Sequence, residues 1–365
     1  MFLTIIIVIF ILVIIWILDK TCWQTPALFY KRTPFTDYIV EKVQRLSAPY
    51  KATFWLSHNR HFHTITATRL RKHISKIQIS RQYLELQDGG VVALDWSKPD
   101  TLDDCRPILI ILSGIEGNIK LTSFVCAKAA ELGYRTVVFN RRGHGGSYLT
   151  TPKLQSFGDP SDFKHVVEFV RKIYPQSNLL GLSFSAGGGI LMSYLGEEGE
   201  RAQLTAAVLI SPGFSPLEQS TCFHWLYETL IVRSLKRIVH QHSHVISPHI
   251  DVNSVLKAKS ITEFDKNVYC KFYNHDNVEE YWSHNDPMRN HSKMTIPVLF
   301  LCSLDDPVLS AEFIPYDVIS EHSDWIMATV DRGGHCAFRE GINAEPWAEC
   351  VALEYLDAVL KYEIK

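Results

Sequence analysis

Residues 177–195 read Ser177-Asn-Leu-Leu-Gly181-Leu-Ser183-Phe-Ser185-Ala-Gly-Gly-Gly-Ile190-Leu-Met-Ser-Tyr-Leu195. An apolar run climbs to a turn of small residues, and a helix-like segment leaves it. A strand, a sharp turn with serine at its apex and then a helix is the layout of a nucleophile elbow, where only small side chains fit around a strained serine. Counted from Gly181, the pattern G-x-S-x-G puts Ser183 at the apex and Ser185 at the fifth position, where glycine is usual, with Ala186 next. Both are small, so the steric demand is nearly met. The rival reading is an ordinary strand-to-helix turn rich in glycine and serine.

The surrounding sequence supplies more strands of the same kind. Continuous apolar runs occur at Ile108–Leu112, Arg135–Phe139, Asn178–Leu182, Ala206–Ile210, Val298–Cys302 and Trp325–Val330. Such runs mark strands covered on both faces. Helical stretches lie between most of them, including Thr122–Leu132, Asp162–Tyr174 and Trp347–Tyr362. The alternation predicts an α/β fold with a mostly parallel, doubly wound sheet. Tyr83 to Trp96 alternates on both sides of Asp88-Gly-Gly90, a hairpin signal that predicts an antiparallel edge. Residues 214–295 interrupt the alternation with a polar insert rich in histidine and aromatic residues. An insert at the carboxyl edge of such a sheet lies over the ligand crevice, so it reads as a helical cap. The expected organisation is residues 1–20 as an anchor and 21–105 as an extension with the edge hairpin. Residues 106–213 and 296–365 form the two halves of the core, with 214–295 as the cap.

With 365 residues the chain can bury one large core, and its net charge of −2 asks for no nucleic-acid partner. Its eight cysteines show no CxxC pair, which argues against zinc and against a disulfide framework. Residues 2–18 are apolar except for one threonine and uncharged, about 25 Å long as a helix. They follow no basic stretch and precede no A-x-A site, so they read as an uncleaved single-pass N-terminal anchor rather than a signal peptide. The membrane bilayer is then a partner, in the endoplasmic reticulum or another endomembrane. Lys20, Lys31 and Arg32 follow the span and favour a cytoplasmic body, whereas the sequon Asn290-His-Ser292 serves only a lumenal one.

A serine hydroxyl needs a base to activate it, and the base needs an acid to orient it. In the order serine, acid, histidine, the candidates stand at strand ends. Ser183 follows one apolar run, Asp305 and Asp306 follow another, and His335 follows the last, behind Asp331-Arg-Gly-Gly334. Asp306 is the preferred acid, with the small Ser310 four positions on, and Asp305 stays open as the alternative. A tetrahedral oxyanion needs two backbone donors. Leu112-Ser-Gly-Ile-Glu-Gly-Asn118 follows the first strong parallel strand, and the N–H groups of Ile115 and Phe184 are the candidates. Arg141-Arg-Gly-His-Gly-Gly-Ser147 lacks the lysine and spacing of a phosphate loop and reads as structural, with His144 at the surface.

With these residues in hand, the chain resembles the membrane-anchored α/β-hydrolase-domain lipases, the group that includes the bacterial YheT-type esterases. The resemblance rests on Leu112–Gly117, Phe139–Gly143, Gly181-Leu-Ser183, Asp305-Asp-Pro307 and Gly333-Gly-His335. It implies an α/β-hydrolase fold and a serine hydrolase that cleaves acyl esters of lipids, phospholipids or monoacylglycerols, without metal or organic cofactor. Phe214, Phe223, Trp225 and Tyr227 of the cap are candidates to accept an acyl chain, or to be plain cap core. Two other readings remain: a catalytically silent, tethered interaction module, prompted by Ser185 and Ala186, and a carboxylesterase for small esters.

Overall fold

The computed structural model describes residues 6–7, 9–10, 12–13, 20–69, 78–97, 105–115, 117 and 119–363. Two short strands, β1 (Trp23–Gln24) and β3 (Tyr50–Lys51), pair with each other. The central sheet is built from β2 (Ala27–Phe29), β4 (Ile79–Glu85), β5 (Val91–Ser97), β6 (Ile108–Leu112), β7 (Arg135–Asn140), β8 (Leu179–Phe184), β9 (Ala206–Ile210), β10 (Val298–Ser303) and β11 (Trp325–Val330). Their spatial order is β2-β11-β10-β9-β8-β6-β7-β5-β4. The six strands β6 to β11 run parallel. The expected hairpin of β4 and β5 closes one edge antiparallel, and β2 closes the other. Gly89, with φ +77°, takes the tight position in the hairpin turn.

The parallel strands are buried along their whole length, and their side chains alternate between two cores. Leu109, Ile111, Leu180 and Leu182 face one, packed by the helices Pro34–Lys42, Ile119–Glu131 and Trp347–Glu363. Ile108, Ile110, Leu179 and Leu209 face the other, packed by Ser161–Ile173 and Ala186–Glu198. Continuous apolar strands and amphipathic crossovers thus produce the doubly wound sheet. Between β9 and β10 the chain forms helices that include Pro216–Ser220, Trp225–Gln241, Ile261–Asn267 and Val278–His284. Their apolar faces make a third core around Val239, Phe264 and Tyr281, which also takes in Leu149 and Leu154 from the loop after β7.

Arg142 holds that loop to the rest of the sheet. Its guanidinium donates to both carboxylate oxygens of Asp162 at 2.6 Å, to Asp88 in the hairpin turn at 2.7 Å and to Thr151 at 2.9 Å. His144, expected at the surface, is buried. Its Nδ1 lies 2.8 Å from the Arg142 carbonyl oxygen, because the glycines at 143, 145 and 146 adopt positive φ and fold the loop inward.

The expected single-pass anchor needs correction. A span requires about 20 apolar residues in one helix, and among the described residues no helix is long and apolar enough to cross a membrane. Most of residues 2–18 lie outside the described residues. The membrane placement built on that segment falls with it. No disulfide joins any of the eight cysteines, and Cys22, Cys126, Cys270 and Cys302 are buried in the apolar cores.

Removing one partner of a buried ion pair leaves the other charge poorly compensated, here with only the half-exposed Asp88 and Thr151 still on Arg142. With both side chains 3% exposed, Asp162→Ala should lower the unfolding free energy by about 3–5 kcal/mol, read as a shift of the urea midpoint.

Candidate active site

The strand β8 ends at Phe184, so Ser183 is still inside the ladder, level with Leu112 on β6 and Leu209 on β9. It is fully buried, and its hydroxyl faces the Val208 carbonyl oxygen at 3.5 Å. The turn comes two residues later. Ser185 has φ +50° and ψ −122° at the start of the helix Ala186–Glu198, a strained backbone for a residue with a side chain. Its N–H donates to the Ile210 carbonyl oxygen at 3.0 Å, which ties the turn to β9.

The glycines after it make the turn possible. A Cβ on Gly187 would lie 2.5 Å from the Leu112 carbonyl oxygen, and one on Gly188 would lie 2.8 Å from Pro212. The helix therefore starts in contact with the ends of β6 and β9, and Ser185 stands above the carboxyl edge of the sheet. The apex is Ser185 and not Ser183: read as Ser183-Phe-Ser185-Ala-Gly187, the sequence has its glycine at the fifth position and a small serine at the first. Counting from Gly181 placed the pattern two residues early.

His335 faces Ser185. Its Nε2 lies 2.7 Å from Ser185 Oγ, and its Nδ1 lies 2.7 Å from Asp306 Oδ2. Asp306 is fixed in turn, because its Oδ1 accepts the N–H groups of Val308 at 2.8 Å and Leu309 at 3.0 Å. Asp305 points elsewhere: its Oδ1 accepts from the Ser303 hydroxyl and from the N–H groups of Gly333 and Gly334 at 2.9 and 2.8 Å. The two neighbouring acids thus divide the work, Asp306 contacting the imidazole and Asp305 shaping the loop that carries it. Thr64, on the helix Arg60–Arg69 of the N-terminal extension, accepts the His335 N–H at 3.0 Å. That contact crosses 271 residues and leaves no local trace in the sequence.

Burial opposes the imidazolium form of His335. The Asp306 carboxylate and the Cys336 side chain outweigh it, and the pKa stands well above 6.5. The loop after β6 runs against the same serine, since a Cβ on Gly114 would come within 3.4 Å of Ser185 Cβ. The loop that carries Ile115 therefore borders the apex. Phe184 does not suit the second donor position: it is a strand residue with its side chain in the core, and it precedes Ser185. The residue that follows the apex is Ala186.

A cavity of about 140 Å³ opens beside Ser185, Ala186 and Ile115. The insert supplies most of its wall, including Phe223, Ile231, Leu235 and Trp282. Of the four aromatic candidates, Phe223 alone lines it. Phe214 packs on Phe300 in the core, Trp225 is 70% exposed, and Tyr227 meets His61 at 3.1 Å. The buried Arg141 and Asp265 also line the cavity; the sequence reading took the Arg141 loop as structural and gave Asp265 no role. Elsewhere on the insert, His275, Glu280 and His284 bring possible metal-ligand atoms within 4.8 Å of one another, half exposed and off this cavity.

Residues 103–314 match the family model described as serine aminopeptidase, S33. The chain is 30% identical over 354 residues to "Phospholipase ABHD3" of Bos taurus, covering 93% of this chain and 83% of that protein. It is 30% identical over 298 residues to "Protein ABHD15" of Homo sapiens, covering 78% of this chain and 64% of that protein. "Monoacylglycerol lipase ABHD2" of Danio rerio is 26% identical over 370 residues, covering 94% and 85%. Among solved structures, the 2,6-dihydroxy-pseudo-oxynicotine hydrolase superposes with a TM-score of 0.53 at 18% identity, over 83% of this chain and 72% of that one. That likeness supports the α/β-hydrolase fold.

The raised imidazole pKa fixes a pH dependence. Stability from the Asp306–His335 pair is complete below the unfolded value of 6.5 and is lost as pH rises through the higher folded pKa. In Asp306→Asn burial acts without its larger counterweight, so an NMR titration of His335 should show the ring's pKa falling below the wild-type value.

Proposed function

Given that the chain belongs to the serine aminopeptidase S33 family of hydrolases, within the abhydrolase-domain lipase group, we propose that it cleaves acyl esters of lipids with Ser185 as nucleophile, His335 as base and Asp306 as orienting acid. Ester hydrolysis by a serine enzyme is the family-level activity. The observation that carries the finer reading is the unbroken line Asp306–His335–Ser185, with both contacts at 2.7 Å and an apolar cavity at its end.

In this reading Ser185 Oγ attacks the ester carbonyl carbon while its proton passes to His335 Nε2. Asp306 holds the Nδ1 proton and stabilises the imidazolium. The N–H groups of Ala186 and Ile115 donate to the oxyanion. Return of the proton to the leaving alkoxide releases the alcohol, and a water molecule, deprotonated by the same imidazole, hydrolyses the acyl-enzyme. The insert covers the cavity as a cap and shields the acyl chain from water, which fits an alkyl ester better than a highly polar one. The relatives named as a phospholipase and a monoacylglycerol lipase support a glycerolipid ester as substrate. Counted from Ser183, the motif has Gly187 at the fifth position and departs only in the small Ser183 at the first, which weakens the ground for a silent reading.

A fluorophosphonate probe separates the two serines. Wild type and Ser183→Ala should be labelled, and Ser185→Ala should not. For a long-chain monoacylglycerol ester, Ser185→Ala should lower kcat by about 10³-fold or more, while Ser183→Ala keeps it within about tenfold. Labelling of Ser185→Ala at the wild-type rate defeats the assignment.

A further inference from the structure

Among the described residues, the cavity beside Ser185 contains a buried cation with no carboxylate bound to it. Arg141 follows β7, is 6% exposed and lines the cavity wall. Its Nη2 is buried with no hydrogen-bond partner. The contrast with its neighbour is direct: Arg142 is equally buried, but two carboxylates and a hydroxyl take up its donors. Burial lowers the pKa of Arg141, and the groups acting in the other direction are the hydroxyls of Tyr269 and Tyr273 rather than any carboxylate. A guanidinium nevertheless stays charged at neutral pH.

The acid on the same cavity does not neutralise it. Asp265 is bound to Trp282, whose Nε1 donates to Oδ2 at 2.8 Å. Burial pushes the carboxyl up to about 7 despite that bond, so near neutral pH it is only partly ionised, and it is not among the groups that act on Arg141. A buried cation with an unused donor costs stability unless something binds it. The rest of the cavity is suited to an alkyl chain, and Arg141 gives it one fixed polar point.

We propose that Arg141 recognises an oxyanion of the ester substrate, a carboxylate or a phosphate, seated in the cavity while the scissile carbonyl lies at Ser185. A carboxylate would come from the far end of the acyl chain, and a phosphate from the alcohol side of a glycerolipid. Arginine suits either, because its planar donors meet two oxygens at once. The inference rests on the assignment of the site to Ser185.

Binding to the full-length Ser185→Ala protein tests it without turnover. Calorimetry would compare two pairs of ligands: 4-nitrophenyl octanoate with the 4-nitrophenyl monoester of suberic acid, and a 1-monoacylglycerol with its 3-phosphate. In at least one pair the anionic member should bind about 10- to 100-fold tighter. Adding Arg141→Gln should abolish that preference and Arg141→Lys should restore part of it, with circular dichroism and melting curves verifying that each variant is folded. Equal binding within both pairs overturns the proposal, as does a preference that survives Arg141→Gln. Labelling of wild type at Ser185 keeps the two questions apart: a labelled enzyme without charge preference loses the Arg141 inference alone.

Discussion

The structure depends on one strained turn. At Ser185 the chain reverses from β8 into the helix Ala186–Glu198 with φ +50° and ψ −122°. Such a backbone persists only where surrounding contacts over-determine it. Here the Ile210 carbonyl holds the N–H, the following glycines let the helix start against β6 and β9, and the loop after β6 passes within contact of the serine's Cβ. Those contacts come from the ends of two strands, β6 and β9. The sheet is therefore the device that makes the turn affordable, and the turn is what lifts one hydroxyl clear of the core.

The partners of that hydroxyl obey the same logic. His335 and Asp306 sit on loops after β11 and β10, and the histidine loop is held from outside itself. Asp305 gathers the N–H groups of Gly333 and Gly334, Thr64 accepts the His335 N–H, and two N–H groups pin Asp306. Preorganised contacts of this kind fix the imidazole before substrate arrives. The cost is a desolvated ring, which the Asp306 carboxylate offsets.

Much of the fold was legible because its signals are local. The runs at 108–112, 206–210 and 325–330 became strands with those limits, since continuous apolar residues have one solution when helices cover both faces. The Asp88-Gly-Gly90 turn likewise gave the edge hairpin. His335 was singled out from the glycines after a terminal strand, and of the two neighbouring acids it is Asp306 that contacts it. The apex serine was misread because two serines of equal size flank Phe184, and composition does not say where a strand stops. The signal that would have found it is Gly187, whose missing side chain the close approach to Leu112 requires.

The sequence by itself determined the sheet, its crossovers, and the order serine, acid, histidine at strand ends. These follow from periodicity and chain order, which are properties of neighbouring residues. Only the tertiary structure decided which serine meets the imidazole, that Thr64 braces the histidine loop, and that Arg141 lies unpaired in the cavity while Arg142 is fully bound. Those outcomes turn on hydrogen bonds and burial between segments far apart in the chain. A side chain's neighbours in space are fixed by how the layers pack, and no spacing along the sequence encodes that distance.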